Sequence, residues 1–184
     1  MITRRRMLGG VLASILLPGA VEAQYAPIDL GIPNIRQETP VWCWVAVAQQ
    51  IIIWRRGNAP PQCALVAMAN NRPPAFCCFG NPQCVVTGGL QQIQWLIAQF
   101  GATISTIQPP AGPTVIYNTL AQGRAIIMAV QSGNSGHVVV IRGMYIEHGV
   151  PFLIVNDPMN MPFMSQPIPF QQLMPYWRAA IVTS

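Results

Sequence analysis

Residues 37–57 read QETPVWCWVAVAQQIIIWRRG, and this stretch decides how the rest of the chain can fold. Pro40 suits the entry to a helix, and Gly57, preceded by two arginines, suits its end. Between them the segment is apolar on almost every side, which predicts a helix buried in the core. Cys43 then lies in the first turn, where free N–H groups and the positive end of the helix dipole favour a negatively charged sulfur. The stretch therefore predicts a buried helix that presents a nucleophilic thiol at its start.

The composition limits which chemistry the chain can perform. Of 184 residues, 52% are apolar and only 8% are charged, so one domain with a substantial core is expected. All ten basic residues are arginine and most are scattered, which argues against a nucleic-acid-binding protein. The chain has only two histidines and five acidic residues. Any acid–base catalysis must therefore use one of very few side chains.

The N-terminal segment is predicted to be a cleaved signal peptide. Three consecutive arginines lead into an apolar run over 7–17, which is shorter than the about 20 residues that span a bilayer. Small residues up to Ala23 suit a signal peptidase, so removal of 1–23 and a single domain over 24–184 are expected. The arginines resemble a twin-arginine signal, and a general secretory signal is the alternative. No long apolar run follows, so we expect an exported protein, periplasmic or extracellular, without a membrane span.

Four of the five cysteines crowd into residues 63–84. In an exported protein such a cluster is typical of two disulfides that hold a loop together. Adjacent cysteines rarely bridge each other, because that bond strains the backbone. Two pairings stay open: Cys63–Cys77 with Cys78–Cys84, or Cys63–Cys78 with Cys77–Cys84. A zinc site is the rival interpretation, but adjacent cysteines do not form the usual Cys-x-x-Cys knuckle, so no metal is expected.

Cys43 is the cysteine left over, and a thiol nucleophile needs a base. His137 follows a glycine-rich turn over 133–136 and precedes a β-branched run, so it is expected at the start of a strand. His148 lies between two apolar runs, which predicts the tip of a hairpin and a solvated role. His137 is therefore the candidate base. The alternatives are an inert buried thiol at Cys43 and a structural histidine at His137.

The residue that orients the base is expected at the end of the next strand. Residues 150–156 form an apolar run that ends in Asn156 and Asp157 before Pro158. If this strand is the antiparallel neighbour of the His137 strand, its end returns towards that histidine. Asp157 can then accept a hydrogen bond from one imidazole nitrogen and leave the other facing the thiol. Asn156 is the alternative, and an Asx-turn before the proline is compatible with either.

The remaining pattern separates helices from strands. Helices are predicted over 87–101 and 113–123, a helical turn over 171–177, and strands over 124–131 and 179–182. Helices dominate the first half and strands the second, which predicts an α+β fold. The sequence contains no phosphate-binding Gly-rich loop and no metal-ligand set of His, Asp and Glu, so no cofactor is expected.

Several of these residues resemble the signature of the papain-like cysteine peptidases. Cys43 is followed by Trp44 at the start of a long apolar helix, and Gln37 lies six residues upstream. Gly136-His137 followed by apolar residues is similar to the histidine segment of that family. The chain lacks the signature's glycine and upstream disulfide cysteine, and Cys43 lies closer to His137 than the about 130–150 residues that are usual. The closer likeness is to the small bacterial branch, which includes leader-processing peptidases of peptide exporters and effector proteases of plant pathogens.

The resemblance implies a helical lobe with the nucleophile, an antiparallel β lobe, and a cleft between them. The Gln37 side-chain amide and the Cys43 N–H would form an oxyanion hole, where donors are needed as negative charge develops. The small bacterial branch uses Asp before Pro as the orienting residue, which favours Asp157. The implied activity is hydrolysis of a peptide or protein by Cys43, His137 and Asp157 in a monomer. The alternatives are an acyl- or amide-transferring enzyme with the same three residues and a binding module without turnover.

Overall fold

The computed structural model describes residues 25–103, 106–133 and 135–183, so the predicted signal peptide over 1–23 lies outside the described residues. The helices are α1 (Cys43–Arg56), α2 (Gln62–Ala69), α3 (Leu90–Gln99), α4 (Pro113–Ala121) and α5 (Phe170–Leu173). The strands are β1 (Ile28–Asp29), β2 (Ala125–Ser132), β3 (Ser135–Glu147), β4 (Val150–Asn156), β5 (Ile168–Pro169) and β6 (Trp177–Thr183). Short 3-10 turns cover Pro74–Cys77, Pro82–Cys84, Pro162–Met164 and Met174–Tyr176. None of the helices in these ranges is long and apolar enough to cross a membrane.

Helix α1 is the buried helix that its sequence predicts. It begins at Cys43, and every residue from Trp44 to Ile52 is buried. Gly57 ends the helix with a φ of 81° and donates its N–H to the Ile53 carbonyl at 2.7 Å. Glycine adopts this left-handed conformation without the strain that a Cβ would cause. Burial on all sides holds residues 44–52 of the helix in the core, and Cys43 lies just before this buried part, at the partly exposed start.

The strands of the described ranges form one six-stranded antiparallel sheet. Its order is β5-β4-β3-β2-β6, and β1 pairs with Gly143 and Met144 of β3. Strand β3 turns into β4 through His148 and Gly149, whose φ values are 50° and 78°. Positive φ at both central residues is the geometry of a tight hairpin turn. The predicted hairpin tip at His148 is therefore confirmed, and the histidine is exposed there.

The sheet separates two hydrophobic clusters. Successive side chains of a strand point to opposite faces, so neighbouring residues join different clusters. Ile127 and Val140 pack with α1, α2 and α3 on one face, and Ile126 and Ile141 pack with α4 and the C-terminal segment on the other. The predicted α+β fold is confirmed. Below, the helical lobe is residues 43–99 and the β lobe is residues 125–183.

Helix α2 and the strands β1 and β5 are missed by the sequence pattern. The eight residues of α2 are almost all apolar, and its N-cap residue, Pro61, makes no side-chain cap hydrogen bond. A helix without an amphipathic period or a cap has no local signal, and tertiary packing against α1 and the turn Pro74–Cys77 accounts for it. Strands β1 and β5 have two residues each, which is too short for an alternating pattern to be visible.

Candidate active site

An open cleft of about 1330 Å³ lies where the start of α1 meets the end of the sheet formed by β2 and β3. The helical lobe contributes Cys43, Trp44 and the loop that ends at Gly89, and the β lobe contributes His137. The wall beyond His137 is mostly apolar and includes Met159, Met161, Phe163, Met164, Leu173 and Tyr176. The predicted nucleophile and the predicted base therefore line the same cleft.

Cys43 is the first residue of α1, and no disulfide includes it. The N-cap residue, Trp42, makes no side-chain cap hydrogen bond, so its side chain does not pair with the first N–H groups of the helix. The thiol is partly exposed and lines the cleft. The uncapped helix start places the positive end of the helix dipole beside the sulfur, which favours negative charge there.

His137 stands between the thiol and a carboxylate. It is the third residue of β3 and pairs with Val130 of β2, so the backbone ladder fixes its position. Its side chain is 12% exposed, and its Nε2 lies 2.7 Å from Oδ1 of Asp157. Because Asp157 occupies Nε2, Nδ1 is the ring nitrogen that remains for the Cys43 sulfur, which lies near enough to interact with the imidazole.

Asp157 is fixed by hydrogen bonds on both carboxylate oxygens. Oδ1 accepts the Met159 N–H at 2.9 Å in addition to the contact with His137. Oδ2 accepts the Met161 N–H at 2.8 Å, and the side chain is 2% exposed. The Asx-turn expected before the proline and the contact with the imidazole are therefore made by the same carboxylate. A carboxylate held in this way cannot rotate away from the ring without losing hydrogen bonds.

Asn156, the alternative orienting residue, faces elsewhere. Its Nδ2 donates to the Ile32 carbonyl at 2.9 Å, and the residue is 2% exposed. The pairing of Asn156 with Val140 puts Asp157 one residue further along, next to the start of β3. Of the two candidates, the structure brings Asp157 and not Asn156 to His137.

The pKa values of His137 and Asp157 are shifted in opposite directions. Burial acts to lower the pKa of His137, but its interactions with Asp157 and with the Cys43 sulfur raise it from 6.5 to about 9. Burial acts to raise the pKa of Asp157, but hydrogen bonds from His137 and from the amides of Met161 and Met159 hold it below its ordinary value. At neutral pH the pair is therefore an imidazolium and a carboxylate. An imidazolium can protonate a leaving group.

Gln37 lies in the loop before α1 and is not among the residues that line the cleft. Its backbone N–H donates to the Pro158 carbonyl at 2.9 Å, which ties this loop to the residue after Asp157. Its side-chain Nε2 donates to the Thr39 carbonyl at 2.7 Å. Its Oε1 is buried without a hydrogen-bond partner in the described part of the chain. The structure thus places Gln37 beside the site, with one amide hydrogen engaged by its own loop.

A buried glutamine of α2 holds the backbone on both sides of Gln37. Gln62 is 1% exposed, and its Nε2 donates to the Arg36 carbonyl at 2.8 Å while its Oε1 accepts the Glu38 N–H at 3.0 Å. Nε2 also donates to Oε1 of Gln49 in α1 at 3.2 Å. Such a fully paired, buried amide is costly to replace. The sequence analysis missed Gln62, because nothing in its local sequence distinguishes it.

The four clustered cysteines form the disulfides Cys63–Cys78 and Cys77–Cys84. This is the second of the two pairings that the sequence left open. Cysteines in disulfides offer no thiolate to a zinc ion. Across residues 25–103, 106–133 and 135–183, no group of three or more His, Cys, Asp or Glu side chains could hold a metal ion. The two disulfides fix the segment between α2 and α3.

The fold is that of a papain-like cysteine peptidase. Residues 27–170 match the model of the family described as papain-like cysteine protease AvrRpt2, and the chain therefore belongs to that family of cysteine peptidases. This agrees with the resemblance seen in the sequence. No significant match to the curated proteins is found.

Two solved structures share the fold at low sequence identity. One is a double glycine motif protease from an AMS/PCAT transporter in complex with the leader peptide, with a TM-score of 0.52 and 12% identity over 85% of this chain and 96% of that chain. The other is a C39-like peptidase from Bacillus anthracis, with a TM-score of 0.51 and 11% identity over 86% of this chain and 98% of that chain. At this identity the likeness concerns the fold alone.

Proposed function

We propose that the chain is an exported thiol peptidase in which Cys43 attacks the peptide bond, His137 transfers the proton and Asp157 orients His137. The observation that carries the proposal is the His137 imidazole held at 2.7 Å by Asp157, in an open cleft that Cys43 also lines. In this proposal residues 1–23 are removed on export to the periplasm or the medium, and residues 24–184 act as a single-domain monomer.

The chemistry proceeds through an acyl-enzyme. The Cys43 sulfur attacks the carbonyl carbon of the scissile bond and forms a C–S bond, while an electron pair moves onto the carbonyl oxygen. The C–N bond then breaks, and the leaving amine takes the proton from His137 Nδ1. Water attacks the thioester as His137 accepts a proton from it, and the departure of the acid returns the sulfur and the imidazolium to their starting state.

Gln37 and the Cys43 backbone N–H are proposed to stabilise the negative oxygen that forms during attack. The Gln37 nitrogen carries two hydrogens, and the Thr39 carbonyl accepts only one of them. This bond also defines which end of the amide is nitrogen, because an amide oxygen in that place would face the Thr39 carbonyl without a hydrogen between them. The second hydrogen is the donor that the proposal assigns to the oxyanion, a contribution of about 10²–10³ in kcat.

The cleft favours a particular class of peptide. Apart from His137, the one charged side chain among its lining residues is Arg178, and the wall beyond His137 includes three methionines and the aromatic residues Phe163 and Tyr176. Methionine side chains adapt their shape to different apolar partners. We therefore propose extended peptide or protein segments with large apolar side chains, neutral or acidic rather than basic, as the substrates. The transporter protease that shares this fold is in complex with a leader peptide, and we propose leader peptides as one source of substrates for this chain.

Digestion of a peptide library tests this function. The library is incubated with residues 24–184, and the products are identified by mass spectrometry, with Cys43→Ala as the matched control. We expect cleavage next to apolar residues by the parent protein and none by the variant. Products that join an added amine instead of water would identify a transferase, and selective thiol reactivity without any product would identify a binding module. Either result would contradict the peptidase proposal.

A further inference from the structure

Each tryptophan beside Cys43 donates its indole N–H to the same disulfide-bonded segment. Trp42 Nε1 donates to the Cys84 carbonyl at 2.9 Å, and Trp44 Nε1 donates to the Val86 carbonyl at 3.2 Å. Trp42 is 5% exposed and Trp44 is 1% exposed, so water cannot readily replace these bonds. The residues immediately before and after Cys43 are therefore both tied to one short stretch of backbone.

The stretch that accepts these bonds is itself fixed. Cys84 is bonded to Cys77, which lies in the turn that packs against α2. The Cys84 carbonyl also accepts the Val86 N–H at 2.9 Å. A loop closed by a disulfide has fewer conformations open to it than a free loop. The acceptors for the two indoles thus stay at a defined position relative to the helical lobe.

Gly88 brings the same stretch against the Trp44 ring and into the cleft. A Cβ at this position would lie 2.3 Å from the Trp44 ring atom Cδ2, which is closer than real Cβ contacts come. A glycine is therefore required for this close approach. Gly88 and Gly89 line the cleft together with Cys43. The stretch that fixes the two indoles also forms part of the substrate surface.

We propose that residues 84–88, anchored by the Cys77–Cys84 disulfide, position the nucleophile through Trp42 and Trp44. The start of α1 has no side-chain cap, and neither disulfide joins it, so the two indole bonds hold its direction. The inference rests on the proposed function for the role of Cys43. Displacement of a reacting group by about 1 Å can cost about 10²-fold in rate.

Three tryptophan substitutions, in α1 and at its N-cap residue, distinguish a role in positioning Cys43 from a general effect on stability. Trp42→Phe and Trp44→Phe keep an aromatic ring and remove the indole N–H. Trp54→Phe is the matched control, because Trp54 Nε1 donates to the Leu30 carbonyl at 3.0 Å at the other end of α1. The measurements are the pH dependence of Cys43 alkylation by iodoacetamide, and kcat and KM on a cleaved peptide.

We expect Trp42→Phe and Trp44→Phe to slow the alkylation of Cys43. Both should lower kcat by about 10²-fold, and Trp42→Phe should leave KM nearly unchanged because Trp42 does not line the cleft. Trp54→Phe should leave alkylation and kcat unchanged.

The two disulfides provide a second matched pair. Replacing Cys77 and Cys84 together by Ser removes the bond that anchors the stretch, whereas replacing Cys63 and Cys78 together leaves that bond intact. We expect the first double variant to reproduce the alkylation profile of Trp42→Phe and the second to keep the parent profile. If the first fails to fold, the tryptophan series decides.

The proposal is overturned if Trp42→Phe and Trp44→Phe behave like Trp54→Phe, or if they lose only thermal stability. Equal alkylation profiles for two folded double-cysteine variants would overturn it as well. Alkylation uses no peptide, so it distinguishes this proposal from the proposed function. Absence of turnover with selective labelling of Cys43 contradicts the peptidase, whereas an alkylation profile that is insensitive to Trp42 and Trp44 contradicts the positioning role.

Discussion

Cys43 and His137 face one cleft from opposite lobes, and different interactions hold them in place. His137 pairs with Val130 of β2, and from Val140 onward its strand also pairs with β4, so the backbone ladder fixes the position of His137. Cys43 begins a helix whose first turn is tied by the indole N–H groups of Trp42 and Trp44. Backbone bonds survive most substitutions, whereas each side-chain bond disappears with its residue. Single substitutions should therefore disturb the nucleophile side more easily than the base side.

Removing either reacting side chain should have the largest effect on kcat. The loss should be similar whether the side chain comes from the helical lobe or from the β lobe. Cys43→Ala and His137→Ala are each expected to lower kcat by about 10³–10⁶, because residues that act as one unit fail together. The double variant should be no worse than either single one. Turnover measured beside urea unfolding checks this, and a His137→Ala protein within about tenfold of the parent kcat would contradict the assignment.

Loss of the proposed oxyanion donor, which lies in the loop before α1, should have the next largest effect on kcat. Gln37→Ala should lower kcat by about 10²–10³ and leave Cys43 alkylation unchanged, because alkylation forms no oxyanion. Gln62→Leu should lower kcat in the same direction by a smaller factor, since it releases the backbone at Arg36 and Glu38. Kinetics of the single and double variants measure the coupling, and the double variant should be close to Gln37→Ala.

Leu65→Ala is the control for Gln62→Leu, because Leu65 is fully buried in the same helix and does not touch this loop through a hydrogen bond. It should cost about 2–5 kcal/mol of stability and keep the parent kcat below its unfolding temperature. Additive effects of Gln37→Ala and Gln62→Leu, or an equal kcat loss in Leu65→Ala, would contradict the role of Gln62.

On the strand side, Asp157→Asn should have a smaller effect. It removes the negative charge beside the imidazole, so the pKa of His137 should fall from about 9 and the alkaline limb of the kcat profile should move to lower pH. A change of one unit corresponds to about 1.4 kcal/mol, or about tenfold. The pH profile of kcat measures the shift. Asn156→Ala is the control, and a shift in that variant but not in Asp157→Asn would favour Asn156 as the orienting residue.

The smallest effect concerns stability as a function of pH. The pKa of His137 is raised from 6.5 in the unfolded chain to about 9 in the folded protein. Its stabilising contribution is therefore fully present below pH 6.5 and is lost as the pH rises towards about 9. Asp157, whose pKa is lowered, contributes in the opposite sense and loses its contribution at acid pH. Urea unfolding between pH 6.5 and 9 should show a decline in the parent that His137→Gln lacks.

The sequence predicted the parts of the site that depend on local signals. Cys43 was predicted from a proline entry and an apolar helix, His137 from a glycine-rich turn before a β-branched run, and Asp157 from a strand that ends before a proline. The structure brings these three side chains together, and their catalytic roles stay predictions. Such signals survive without tertiary information because a helix start and a strand end are each marked by neighbouring residues.

The parts that the sequence did not predict depend on contacts between distant residues. The pairing of four crowded cysteines is fixed by the path of the chain between α2 and α3, and not by their spacing. Gln62 looks like any polar residue until the fold brings it to Arg36 and Glu38. The apolar pattern around Trp42 predicted burial, but not which carbonyl its N–H would find.

Mapping of alkylation by mass spectrometry tests the central claim most directly, namely that Cys43 is a nucleophile activated by His137 and Asp157. The exported protein is treated at pH 6 without a reductant, and every cysteine is examined. We predict a single modified site, Cys43, that reacts faster than free cysteine under the same conditions and more slowly in His137→Ala. Label on any of the other four cysteines, or no label at all, would contradict the claim.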